Sequence, residues 1–206
     1  MKTLGIFKEN TRYKAFFLSL LFSAIGFGLY KGVMDNYLAE IVKMNQVDRG
    51  LTEFFRELRG LLLVLLLALF YKASAEKMYR MGIVIMVIGM GIIAIVPPIK
   101  MVIILSIFFY SLGEHIQLGM KNTLSLEYSR EGCGGQALGF QNAVYQIGNL
   151  AGYAAVIGAF ALVAGKTIFK PVFALAAVFI CIAMLVTFRL TGNSATDDSK
   201  RRFYFK

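Results

Sequence analysis

The sequence is poor in the residues that build reactive centres, with two cysteines and one histidine among 206 residues. Cys133 and Cys181 do not make a disulfide framework, and neither has the spacing of zinc ligands. With His115 as the only histidine, a His-Glu-x-x-His motif is excluded, and the sequence has neither a Cys-x-x-Cys pair nor a phosphate loop. We therefore expect no enzyme, no metal site and no cofactor.

Charged residues are also scarce, at 17% of the chain, whereas hydrophobic residues make up 58%. A soluble domain has roughly 45–50% apolar and about 25% charged residues. The composition therefore excludes a typical soluble enzyme domain and a disordered chain. A helix that crosses a bilayer needs roughly 20 apolar residues, so this length accommodates six such helices with short loops. We predict an all-α membrane protein.

Uncharged runs predict six transmembrane helices. Pro97 and Pro98 end the third helix, and Pro171 suits the start of the sixth. The helices are predicted at about 13–38, 49–71, 80–97, 101–121, 136–163 and 171–189. They make one bundle over residues 1–192, and residues 193–206 are predicted to be a polar, basic cytoplasmic tail or a linker to another half.

The net charge of +10 is interpreted as an orientation signal. Six spans place both termini on one side, and most Lys and Arg residues fall on that side. The positive-inside rule then predicts a multi-pass protein of the cell membrane with both termini in the cytoplasm. Attraction to anionic lipid adds to this, and nucleic acid is not an expected partner.

The six predicted helices alternate in polarity. The third and sixth have almost no hydrogen-bonding side chains, whereas the other four carry charges or amides. Because polar groups in lipid are costly, the third and sixth helices are predicted to face lipid and the others to line an interior. Three spans that repeat invert their topology, so the pattern predicts two inverted three-helix repeats. Chance variation of hydropathy among six helices is the alternative.

The fifth helix carries an amide face. Asn142, Gln146, Asn149 and Tyr153 are spaced i, i+4, i+7 and i+11 and so share one side. Beside them lies a Gly148–Gly152 stripe of the GxxxG type, which suits the close approach of another helix. Two interpretations stay open: the amides line a solute cavity, or they bond neighbouring helices together.

The fourth helix carries Glu114, His115, Gln117 and Lys121. Counted from Lys100, Glu114 lies roughly 20 Å along the helix, inside the hydrocarbon layer. Ionisable groups at such a depth favour a function, so Glu114 is predicted to couple protons or bind solute, with His115 as a titrating neighbour and Gln117 on the same site. The alternative is a structural polar cluster with Lys121 as the partner of Glu114.

Further charges cluster at the start of the second helix and at the end of the first. They are Glu53, Arg56, Glu57, Arg59, Lys31 and Asp35. Ion pairs are predicted for Glu53 with Arg56 and for Lys31 with Asp35, from their i, i+3 and i, i+4 spacing. Functionally these residues, with Lys121, would form gates or ion pairs at a binding site. A solvated helix start is the alternative.

The segment LEYSREGCGGQALGFQNAVYQIGNLAG, residues 126–152, resembles the major facilitator superfamily. That family has a polar loop after its fourth helix, then a small-basic-Gly stretch and a Gly-rich fifth helix. The resemblance implies the six-helix N-terminal half of a twelve-helix transporter that works by alternating access. It also implies that helices one and four line the cavity, two and five meet the other half, and three and six face lipid.

Two segments depart from the family pattern. The loop between helices two and three, FYKASAEKMYRMG at residues 70–82, keeps basic residues but lacks the Asp-Arg pair of the usual motif. The fifth helix has Gly148 and Gly152 without the Gly-Pro of the drug antiporters. A drug/proton antiporter is therefore disfavoured.

The expected function is secondary active transport of a small polar solute, as a symporter or uniporter, with proton or sodium coupling. The expected partners are the lipid bilayer, the solute, and a second six-helix half or an identical copy. The alternative is a six-helix membrane substrate-binding subunit of a multi-component vitamin-type transporter. A scaffold or channel is a third class.

Overall fold

The computed structural model describes residues 5–8, 11–163 and 165–190, and this part is all-helical. The helices are α1 (Thr11–Glu40), α2 (Gln46–Leu69), α3 (Ala75–Ile95), α4 (Lys100–Tyr128), α5 (Gly134–Leu162) and α6 (Phe169–Thr187), with short 3₁₀ turns at Lys166–Ile168 and Phe188–Leu190. The predicted all-α architecture is confirmed. The tail predicted at residues 193–206 lies outside the described residues.

Five of the helices, α1 and α3 to α6, are long and apolar enough to cross a membrane. This is the architecture of a multi-pass membrane protein. The helix α2 does not belong to this set, although six spans were predicted. It has 24 residues, but six charged residues fall within its first 14: Asp48, Arg49, Glu53, Arg56, Glu57 and Arg59.

Helix ends differ from the predicted ones where capping or burial extends a helix. Ser74 caps α3 by accepting from the backbone N–H of Lys77 at 3.3 Å, so the helix begins five residues before the predicted 80. The helix α4 continues past the predicted end at 121 because Leu124, Ser125 and Tyr128 are buried against the rest of the bundle.

The helices run alternately up and down between two ends of the bundle. We call the end where α1 begins the amino-terminal end, and the other the opposite end. The helix α1 packs against α5 and α6, α3 packs against α4 and α6, and α2 packs along α4. Asp48 of α2 pairs with Lys100 of α4, and farther along both helices the rings of Phe55 and Phe108 meet with centroids 6.2 Å apart, so α2 and α4 run in the same direction from the opposite end.

Glycines allow the closest helix contacts. Gly148 and Gly152 of α5 lie against the backbone of α1, where Gly28 in turn lies against Asn149. A Cβ atom at Gly152 would come within 2.5 Å of the Ile25 carbonyl oxygen. The GxxxG stripe therefore faces a neighbouring helix, and that helix is α1.

The amino-terminal end is tied by polar contacts between helices. Glu76 of α3 accepts a hydrogen bond from the Tyr128 hydroxyl at 2.6 Å and lies 3.8 Å from the Arg12 guanidinium. Residues 5–8 also pair with the α4–α5 connection, where the backbone N–H of Lys8 donates to Tyr128 and that of Arg130 donates to Ile6. The starts of α1 and α3 are thus fixed to the end of α4.

The antiparallel helices α3 and α6 cap each other. Lys170, at the start of α6, donates to the carbonyls of Ile93 and Val96 at the end of α3. Arg80, near the start of α3, donates to the Thr187 carbonyl at 2.7 Å at the end of α6. Each cation satisfies carbonyls that a helix end leaves without partners, at the negative end of the helix dipole.

Substitution of Gly152 by alanine is expected to lower the free energy of unfolding by about 1–3 kcal/mol, because the added methyl group overpacks the α1–α5 contact. Thermal unfolding in detergent, followed by circular dichroism, measures this. Gly158→Ala is the matched control on the same helix, since nothing lies within 4 Å of its Cβ position. Equal stability of the two variants would contradict this packing.

The start of α2 predicts a pH dependence. Asp48 lies before the predicted second span, and hydrogen bonds from the Lys100 ammonium and from the backbone N–H of Asn45 hold the pKa of its carboxyl below the usual range. A lowered pKa adds stability above the unfolded-state pKa, and this is lost as pH falls through the folded-state value. Asp48→Asn should therefore melt below the wild type at neutral pH, and the difference should vanish in acid. A difference that persists unchanged in acid would refute the charge effect.

Candidate functional site

A cavity of about 210 Å³ lies between α1, α2 and α4. Each helix contributes residues at helical spacing, so one face of each helix is used. The lining residues are Phe27, Tyr30, Lys31, Met34, Asp35, Leu38, Thr52, Glu53, Arg56, Arg59, Ile107, Ser111, Glu114 and His115. The cavity therefore joins the charges that the sequence places on three separate helices.

Both signs of charge line the cavity. The cations are Lys31, Arg56 and Arg59, and the carboxylates are Asp35, Glu53 and Glu114. Glu53 and Arg56 form an ion pair within α2. In the described part of the chain the remaining four charged residues form no ion pair, so the i, i+4 pair predicted for Lys31 and Asp35 is absent there. The cavity wall thus presents two cations and two carboxylates to whatever enters.

Arg59 and Glu114 lie at similar depths. The ion pair of Asp48 with Lys100 sets the starts of α2 and α4 level. At 1.5 Å per residue, Arg59 is about 16 Å and Glu114 about 21 Å below that level. Glu114 is half-buried, and Arg59 lines the same cavity. This carboxylate and this guanidinium therefore mark the deep end of the cavity without forming an ion pair.

His115 is held by its own helix. Its Nδ1–H donates to the carbonyl of Ser111 at a distance of 3.0 Å. In a neutral imidazole this leaves Nε2 as a hydrogen-bond acceptor. The predicted neighbour of Glu114 thus lines the same cavity and can offer an acceptor there.

Two residues of α4 that were predicted for the site lie elsewhere. Gln117 is buried, and its amide donates to the Ser23 hydroxyl and, at 3.4 Å, to that of Tyr79. It joins α1, α3 and α4 and does not line the cavity, so its assignment to the solute site is corrected. The ammonium group of Lys121 lies 3.9 Å from the centre of the Tyr145 ring. A cation–π contact with α5 takes the place of the predicted pair with Glu114, two turns away.

The amide face of α5 does not line the cavity either. Asn149 is buried against Gly28 of α1, whereas Asn142 and Gln146 are exposed and Tyr153 is half-buried. The Asn149 amide donates to Gln146 at 3.4 Å, which links the buried and exposed parts of the face. Helical spacing predicts one continuous amide face on α5, but the packing of α5 on α1 buries only part of that face. Glu57, predicted as a gating residue, is also exposed and outside the lining.

Sequence reasoning missed the uncharged polar lining residues Tyr30, Thr52 and Ser111. Helical spacing holds the signal that could have found them. Ser111 precedes Glu114 by three positions and His115 by four, and Tyr30 adjoins Lys31. Such residues escape notice because hydroxyl groups are unremarkable in membrane helices.

No protein-family model, curated protein or solved structure matches the chain. Within the described ranges, no group of three or more His, Cys, Asp or Glu side chains is placed to hold a metal ion. The fold and the site together define a multi-pass helical membrane protein with a polar cavity between two of its apolar helices, α1 and α4, and the charged helix α2.

Cysteine substitution tests this assignment. In a background with Cys133 and Cys181 replaced by alanine, His115→Cys should react with a charged methanethiosulfonate reagent, because position 115 lines the cavity. Gln117→Cys, two residues away and buried, is the matched control and should react at least about ten times more slowly. Equal labelling of both positions would contradict the assignment of position 115, and not 117, to the cavity lining.

Proposed function

We propose that the chain serves in secondary active transport of a small polar solute by alternating access, with Glu114 as the coupling or solute-binding group. The observation that carries the proposal is the charged cavity of about 210 Å³ between α1, α2 and α4. Ionisable residues among membrane helices are costly and mark solute or ion pathways. Here Lys31, Asp35, Arg59 and Glu114 converge on one space without neutralising each other in pairs.

The charges also indicate what the solute should look like. The lining holds three cations and three carboxylates, so a solute of large net charge would meet as much repulsion as attraction. A small molecule that is neutral and polar, or that carries one charge of each sign, could satisfy Arg59 and Glu114 together. This agrees with the predicted class of small polar solutes.

The helix contacts support the proposal of two inverted repeats. If α1, α2 and α3 correspond to α4, α5 and α6, the packing of α1 on α5 corresponds to that of α4 on α2. The packing of α1 on α6 corresponds likewise to that of α4 on α3. The same correspondence exchanges α3 with α6, and the two helices cap each other through Lys170 and Arg80. In this proposal α2 also crosses the membrane and brings the number of spans from five to six. The fold is then half of a transporter like those of the major facilitator superfamily.

Exposed polar groups on α5 support a second half or an identical copy as a partner. Asn142 and Gln146 lie on the open side of a helix whose neighbouring exposed residues are Ile147 and Leu150. An amide facing lipid is unfavourable, so a second six-helix unit would cover this side. We place the protein in the cell membrane with both termini in the cytoplasm, because the basic residues concentrate at the amino-terminal end.

A six-helix binding subunit of a vitamin-type transporter is the second candidate. It is favoured by one observation, namely that three helices of this chain place 14 residues around the cavity. Such a subunit would bind its ligand as an isolated chain but would not move it across the membrane alone. Solute binding in detergent without uptake in vesicles would support this candidate over secondary transport.

Uptake by reconstituted vesicles tests the proposed transport. Vesicles are offered labelled amino acids, sugars and carboxylates under a proton or a sodium gradient. For a solute taken up by the wild type, Glu114→Gln should reduce uptake by about ten-fold or more, the effect of losing one charge-assisted hydrogen bond. Glu57→Gln is the matched control, since Glu57 is exposed and outside the cavity.

Folding must be checked beside transport. Both variants should melt as the wild type does in detergent, because neither carboxylate forms an ion pair in the described part of the chain. Unchanged uptake by Glu114→Gln would remove Glu114 from the mechanism. Absence of uptake of every solute class by the wild type under both gradients would count against transport itself.

A further inference from the structure

A second cavity, of about 280 Å³, lies at the amino-terminal end between α1 and α6. Its lining residues are Lys14, Ala15, Leu18, Val186 and Arg189. It shares no residue with the cavity between α1, α2 and α4. The second cavity therefore needs an explanation of its own.

Its two cations have no partner among the residues that the structure describes. Lys14 and Arg189 are exposed, and within the described ranges neither donates a hydrogen bond or joins an ion pair. The neighbouring cations at this end are engaged within the protein. Arg12 pairs with Glu76, and Arg80 donates to Thr187. Of these four cations, the two that line the cavity are the two that contact no anion or carbonyl in the described part of the chain.

The remaining wall is apolar and leads along the bundle. Ala15, Leu18 and Val186 line it, and Leu18 is exposed, as is Leu185 next to Val186 on α6. Behind this wall the two helices are joined, since the Ser19 hydroxyl donates to the Ala183 carbonyl at 3.0 Å. The cavity thus combines a charged rim with an apolar floor between two packed helices.

The rim lies at the ends of two apolar helices. Lys14 is in the first turn of α1, and Arg189 is in the 3₁₀ turn that follows α6. Both helices are long and apolar enough to cross a bilayer, so their ends fall at headgroup depth while Leu18 reaches toward the acyl chains. Basic pockets of this kind, between membrane helices on the basic side, suit anionic headgroups.

We propose that this cavity binds an anionic phospholipid, with Lys14 and Arg189 on the headgroup phosphate and one acyl chain along the α1–α6 wall. Charge complementarity selects an anion, and the apolar wall selects a lipid over a free phosphate. The site is separate from the proposed transport cavity, so the lipid proposal does not depend on the proposed transport function.

Lipid binding to the purified full chain tests the site. Native mass spectrometry in detergent measures binding of phosphatidylglycerol and, in a parallel titration, of phosphatidylcholine. The wild type should prefer phosphatidylglycerol, and the double variant Lys14→Gln with Arg189→Gln should bind it about ten- to thirty-fold more weakly, because each cation is removed from the headgroup. Each single variant should lose about half of that effect on a logarithmic scale.

The matched control removes the same charge at the same end of the bundle. Lys72→Gln with Lys77→Gln changes two exposed cations of the α2–α3 region that lie outside the cavity. This variant should bind phosphatidylglycerol as the wild type does. Equal weakening in both double variants would show a general charge effect and would overturn the proposal.

A further arm distinguishes lipid from free phosphate. Glycerol 3-phosphate, offered in excess, should not displace phosphatidylglycerol, because it lacks the acyl chain that the wall would hold. Displacement would assign the site to a soluble phosphate and overturn the lipid proposal. Wild-type affinity in the Lys14→Gln, Arg189→Gln variant would overturn it as well.

Discussion

Much of this structure depends on the close approach of α1 to α5 at glycine. Gly28 on one helix and Gly148 and Gly152 on the other allow backbone to meet backbone. With one side of α1 taken by α5, and another by α6, a third side carries Tyr30, Lys31 and Asp35 toward the cavity. The glycine contacts on one face of α1 thus set the position of the charged residues on another face of the same helix.

The free-energy cost of placing polar groups among apolar helices explains the arrangement of the other polar side chains. Many polar side chains inside the bundle serve a structural bond: Gln117 bonds to Ser23, Ser19 to Ala183, and Lys170 caps α3. Charged side chains without an ion pair among the described residues line two cavities, the one between α1, α2 and α4 and the one at Lys14 and Arg189. Because charged groups among membrane helices are costly, these two cavities are the places where we expect ligands to bind.

The sequence predicts the helices well because their signals are local. Apolar runs and the prolines at 97, 98 and 171 limit the elements, and Glu114 stands out as a carboxylate deep in an apolar helix. Side-chain contacts between helices depend on residues far apart in the sequence. Gln117 and Lys121 share the face of Glu114 by spacing, yet one bonds to Ser23 and the other lies on Tyr145. Only the placement of α1 and α5 decides which polar residues remain for the cavity.

The pairing of residues 5–8 with the α4–α5 connection has a mechanical consequence. It joins the start of α1 to the end of α4 at the amino-terminal end, through Lys8, Tyr128 and Arg130. Farther along, α1 and α4 meet through the hydrogen bond of Gln117 with Ser23 and through the rings of Tyr30 and Tyr110, whose centroids lie 4.2 Å apart beside the cavity. A widening of the cavity that parts α1 from α4 would therefore have to break these side-chain contacts, while the backbone hydrogen bonds at the amino-terminal end would hold the two helices together there.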